Sequence, residues 1–467
     1  MNTFKKTTLY TALAGIGALG MAGTASAVHV NPDGLGQVLI YPYYTVNSQT
    51  AINPFNSLLS VVNSTASAKA VKVRFLEGKN SVEVLDFNLY LSPHDVWTVA
   101  VVPTTAGGAG IVTHDKSCTT PTVSSDDANP NAFVNTAYAG DSGGDGLDRT
   151  KEGYVEIIEM GNVTGTTATG VTHVSGVPPC TGLSDAVANA NTVLGDGGLF
   201  GGVTLVDVLS GEDFTADAVA LEAFNAGVSL WAAPGSVNPT LEDVNPKATE
   251  VFNGSIATTY TFTLGQNADP VSAALMHNTL MNEYVLDAAT ASGTDWVITM
   301  PTKRFYVNGS SAPIHPFQRA FSGGTSCDDV GITTWDREER TITVTTGFSP
   351  PAPQSPLSLC YEANVVTFKG SNVLASANIK DLTAATLPAN AENGWARFDF
   401  TTSLTGAVGS HVIVADDGST FNGLPVIGFA VQTFVNGTLT EGALNVQSNY
   451  GGNFVHKTTK SITAPAP

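Results

Sequence analysis

The chain has 467 residues, with 20 Lys+Arg against 40 Asp+Glu and a formal net charge of −20 at pH 7. Such acidity repels phosphate backbones and excludes nucleic acid as an expected partner. The length suits roughly two to three domains with a real core, and after the first 27 residues no apolar run reaches the ~18 residues of a membrane span.

Met1–Ala27 reads as a signal peptide. Lys5 and Lys6 precede an apolar run from Leu9 to Met21, and Ala25-Ser26-Ala27 forms a small-residue cleavage site. The protein is therefore expected to be exported and to begin at Val28, outside the cell or on its surface, with the periplasm as the alternative. Strand signals follow at Val38–Tyr44, Asn56–Asn63, Val71–Phe75, Leu85–Leu91 and Val96–Val102. Their period-2 patterning, broken by turns, predicts an antiparallel sandwich with one buried and one wet face. Tyr41, Tyr43 and Tyr44 flank Pro42, and core packing with Pro on an edge strand is the expectation there.

Thr104–Thr150 is a long polar excursion leading to a strand at Gly153–Met160, and Asn162–Gly182 is a second polar stretch. A short helix is expected over Ser184–Leu194. Leu199–Val208 and Phe214–Phe224 read as a hairpin. Asp269-Pro270 predicts a helix start, with Leu275, Met276, Leu280, Met281 and Tyr284 as its apolar face. Strands resume at Trp296–Met300, Arg340–Thr345, Asn364–Phe368, Ala396–Phe400 and Val426–Phe434, around a Pro-rich turn at Phe348–Pro353. The expected fold is all-β: two immunoglobulin-like antiparallel β-sandwich domains, over 28–289 and 290–467, with long polar loops and one or two short helices.

Three stretches carry a resemblance to immunoglobulin-like domains of bacterial surface proteins: Ser60–Ser64, Lys69–Phe75 and Leu89–Trp97, where a strand ends in a Leu-x-Pro-x-Asp turn. Asp295-Trp296-Val297, Pro301–Phe305, Trp335–Glu339 and Gly423–Gly428 are similar to phrases in uncharacterised secreted or surface proteins of Gram-negative bacteria. That resemblance implies export and carries no catalytic residues.

Cys118, Cys180, Cys327 and Cys360 make an even count, which in an exported chain reads as two disulfides. Of three connectivities, Cys118–Cys180 and Cys327–Cys360 are favoured, since each pair stays within one half. Asp141-Ser142-Gly143-Gly144-Asp145-Gly146 with Glu152 partly matches a calcium loop. Asp141, Asp145, Asp148 and Glu152 are thus candidate calcium ligands, against the alternative of a Gly/Asp surface turn. Trp335–Arg340 is a dense charge cluster in which Asp336 and Glu338 could pair as glycosidase carboxylates, although an ion-pair patch at a strand edge explains them better. The eight histidines show no HExxH or HxH spacing, and no nucleophile elbow or phosphate loop is present. The expected function is a non-enzymatic structural or adhesive protein, able to meet itself, other surface components or polysaccharide. The alternative is an extracellular hydrolase or carbohydrate-binding protein acting on polymers.

Overall fold

The computed structural model of the protein describes residues 27–49, 54–138, 140–308, 315–341, 357–383, 386–388, 391–401, 411–441 and 444–465. The expected signal peptide, Ala27 apart, lies outside them, as do the expected Pro-rich turn and the expected strand beyond Thr341. The fold is all-β, with 48% strand, 8% helix and sheets that are almost wholly antiparallel. No helix among the described residues is long and apolar enough to cross a membrane.

Four main sheets build the molecule. The first runs in the order His29–Val30, Val219–Glu222, Val38–Thr45, Glu152–Val163, Lys69–Glu77, Glu83–Leu91, Cys118–Thr120, with Thr192–Val193 also on Glu152–Val163. The second runs Glu212–Asp217, Leu199–Asp207, Asn56–Asn63, Val96–Pro103, Ala109–Val112, Asn131–Ala132. The third runs Leu357–Leu359, Asp328–Asp336, Asn393–Asp399, Thr279–Val285, Lys457–Thr459. The fourth runs Ile379–Leu382, Ala363–Phe368, Gly293–Thr299, Ile427–Glu441, Leu444–Val455, its first pair parallel.

Alternation decides the layers. Val71, Val73 and Phe75 of the first sheet meet Leu59, Val61, Trp97 and Val99 of the second. The same apolar cluster takes in Val297, Val365, Phe429 and Val431 of the fourth sheet, so packing bridges the boundary expected at residue 289. The other face of the fourth sheet, with Trp296, Ile298, Val366 and Phe368, joins Leu280, Val330, Ala396 and Phe398 of the third.

Four expectations change. Strand Lys69–Glu77 is buried on both faces, not wet on one. Lys72 is paired with Asp86 at 2.8 Å and Arg74 with Glu156 and Glu83, so its charged face is neutralised and covered. Pro42 lies in a central strand, not on an edge. The register slips opposite it, between Gly153 and Val155, and the bulge accommodates its missing N–H. The polar excursion is not one loop, since Ala109–Val112 and Cys118–Thr120 add to the sheets. The helix at Asp269 stops at Leu275; Leu280 and Tyr284 face inward from a strand instead. The short helix before Thr192 forms, over Asp185–Ala190. The cysteines pair as Cys118–Cys180 and Cys327–Cys360.

Candidate functional site

The outer face of the third sheet brings exposed aromatic and charged side chains together. On strand Asn393–Asp399, Ala396 and Phe398 point into the core while Trp395 and Arg397 are exposed. Register sets the neighbours. Trp335, Trp395 and Glu283 form one row, and Thr333, Arg397, Met281 and Lys457 form the next. A third row holds Gly331, Asp399, Thr279 and Thr459.

Trp335 and Trp395 stack with ring centroids 4.0 Å apart and planes 10° from parallel. The Arg397 guanidinium lies 5.6 Å from the Trp335 ring centre. Gly394 permits this arrangement: a Cβ there would lie 2.0 Å from the Trp335 carbonyl oxygen and 2.5 Å from the Tyr284 hydroxyl. That hydroxyl donates to the same carbonyl at 3.0 Å and pins the strand carrying Trp335. Trp395 remains 38% exposed and Phe454 44%, which is costly for large aromatics unless something covers them.

Beside Trp395 an open groove of about 680 Å³ reaches Phe454, with Met281 on its floor and Glu283, Asn453 and Lys457 among its lining. Beneath it, Asn282 donates to Nδ1 of His456 at 3.2 Å, while Nε2 of His456 donates to the Val297 carbonyl at 3.0 Å. Burial pushes His456 down to about 4, so it stays neutral and serves as a fixed support. Aromatic faces flanked by a carboxylate, two cations and an amide can hold a ring with one apolar face and a polar perimeter.

The residues singled out in the sequence have other partners. Asp336 accepts from the Arg340 guanidinium at 2.7 Å and from the N–H groups of Glu338 and Arg340. Glu338 is bound by Arg337 and Arg340. This pair is an arginine-tied turn at the end of the Trp335 strand. On the aromatic face, Glu283 and Asp399 are four residues apart along paired strands, ~14 Å, beyond the ~5–9.5 Å that glycosidase carboxylates span.

The candidate calcium ligands do not converge. Arg149 takes the cation's place: its guanidinium donates to both oxygens of Asp141 at 2.6 Å and to Glu77 at 2.8 and 2.9 Å. Burial alone would raise the Asp141 carboxyl, but Arg149, the Gly143 N–H and Asn80 bring it below its ordinary value. A Cβ on Gly143 would sit 2.6 Å from that guanidinium, so the Gly serves the ion pair. Asp145 accepts from the Gly140 N–H at 2.9 Å, and Asp148 is exposed. Glu152 is buried and bound by Tyr43, Ser376 and the Ala377 N–H. Among the described residues no three His, Cys, Asp or Glu side chains are grouped to hold a metal ion.

One constellation escaped sequence reasoning because 81 residues separate its members. Ser92 Oγ lies 2.5 Å from Nδ1 of His173, and Asp95 lies 3.6 Å from the same nitrogen. A hydrolytic triad needs the two on opposite ring nitrogens. Here Ser92 Oγ also donates to the Val171 carbonyl at 3.0 Å and anchors the following loop. Comparison of the chain with protein-family models, with curated proteins and with solved structures finds no match.

Proposed function

We propose that this is an exported, non-enzymatic adhesive protein that binds polysaccharide on the outer face of its third sheet. The observation that carries the reading is the Trp335–Trp395 stack beside the Phe454 groove. Pyranose rings present apolar C–H faces that rest on aromatic planes, while their hydroxyls meet charged and amide groups at the rim. Glu283, Arg397, Lys457 and Asn453 stand where such hydroxyls would lie. Export rests on the leader, and the two disulfides agree with an oxidising compartment.

Affinity electrophoresis against a panel of neutral and acidic polysaccharides tests the proposal. The wild-type chain is expected to be retarded by at least one polymer, and Trp395→Ala to lose most of that retardation while melting normally. Equal retardation of Trp395→Ala and wild type, or no retardation of wild type by any polymer, overturns it.

A further inference from the structure

The outer face of the second sheet is apolar and uncovered among the described residues. Phe200, Val62 and Val96 stand opposite one another in register and form one ridge; Thr204, Leu58 and Ala100 form a second. Between them Gly202, Ser60 and Thr98 make a low row. The resulting trough encloses about 610 Å³. Leu58, Val96 and Phe200 are 46%, 48% and 42% exposed, which is unusual for three large apolar side chains on one face. Gly201 points the other way: a Cβ on it would lie 2.4 Å from the buried Tyr41 hydroxyl.

Charge identifies the occupant. The outward positions from Asn56 to Val62, Val96 to Val102 and Phe200 to Val206 carry no ionisable side chain. Charges line the rim of the trough, as Asp217 opposite Gly202 and the His114–Asp127 pair on the far side, with Asp213 further along the edge strand. In a chain of net charge −20, copies repel one another over most of their surface. Over the uncharged positions of these three strands two copies can meet with their carboxylates kept to the rim. Rows of larger and smaller side chains also alternate along Asn56–Asn63 and Leu199–Asp207. Ridge and valley alternate every two residues, ~7 Å, so a two-fold axis can set the ridge of each copy in the other's valley at the ~10 Å spacing of packed sheets.

We infer that this face is a self-association surface, and that the protein forms a two-fold dimer with the outer faces of its second sheets packed together. The inference does not rest on the polysaccharide reading, since no residue lining the trough also lines the aromatic groove.

Sedimentation velocity of the purified full chain tests it. Wild type is expected to show a reversible monomer–dimer equilibrium that tightens as salt screens the net charge. Phe200→Lys is expected to weaken it roughly tenfold or more. Thr98→Lys, which fills the valley without touching the core, is expected to do the same. Both should keep the wild-type circular dichroism and melting temperature. A wild-type chain that stays monomeric at its highest soluble concentration in high salt overturns the inference. So does a dimer that folded Thr98→Lys leaves intact.

Discussion

Replacing Glu362 with Gln should stabilise the protein at alkaline pH and destabilise it modestly in acid. Glu362 is 1% exposed. Its Oε2 accepts from Ser81 Oγ at 2.6 Å, while Oε1 has no partner among the described residues. Burial pushes its carboxyl up to about 8, although Ser81, Lys303 and Arg304 act the other way. The folded state therefore holds a proton that the unfolded chain loses near its ordinary value of 4.5. With the folded pKa raised, the favourable contribution is full below about 4.5, drains away as pH rises, and is gone above about 8. That interval corresponds to at most ~5 kcal/mol, and relaxation around the ion reduces it to a few. Gln cannot ionise, so the variant should lack this slope. Its amide leaves a donor to satisfy, which costs ~1–2 kcal/mol at every pH. Urea denaturation at steps from pH 4.5 to 8.5, with disulfides intact, reads the difference. Wild-type and Gln curves that stay parallel over that range refute the reasoning.

Arg149→Met should destabilise by ~3–5 kcal/mol, because it strands the fully buried Glu77 and frees Asp141; a loss under ~1 kcal/mol in urea would contradict the ion-pair geometry. Melting temperatures in calcium and in chelator should coincide, since Arg149 already neutralises Asp141, and a clear rise in calcium would restore the metal reading. Gly394→Ala should cost ~1–3 kcal/mol and change the near-ultraviolet signal of the stacked tryptophans; an unchanged spectrum would count against the close approach. Cys118→Ser with Cys180→Ser should cost ~2–5 kcal/mol, measured by urea denaturation under oxidising conditions.

Alternation exposed the strands because it is local. Asn56–Asn63 stands at the residues expected, and Val38–Thr45 within one residue of them. What crosses the chain was hidden. Lys72 and Arg74 looked wet because their counter-charges, Asp86 and Glu156, lie on other strands. Tyr284 and Leu280 looked helical because positions four apart also share a strand face. The calcium pattern was matched only in part in the sequence, and Arg149, eight residues after Asp141, claims the carboxylate. The aromatic site drew attention only for its acids. Trp335 and Trp395 become neighbours through a register that joins segments 60 residues apart, and neither segment alone carries that signal.

The proposed adhesive role would give the two disulfides a mechanical consequence. Cys118–Cys180 and Cys327–Cys360 enclose 62 and 33 residues of sequence separation. Those lengths, ~210 Å and ~110 Å at ~3.4 Å per residue, cannot be paid out when the folded chain yields to tension. A tether between two surfaces would therefore lengthen in shorter steps when oxidised than when reduced, and the redox state of the surroundings would set its reach.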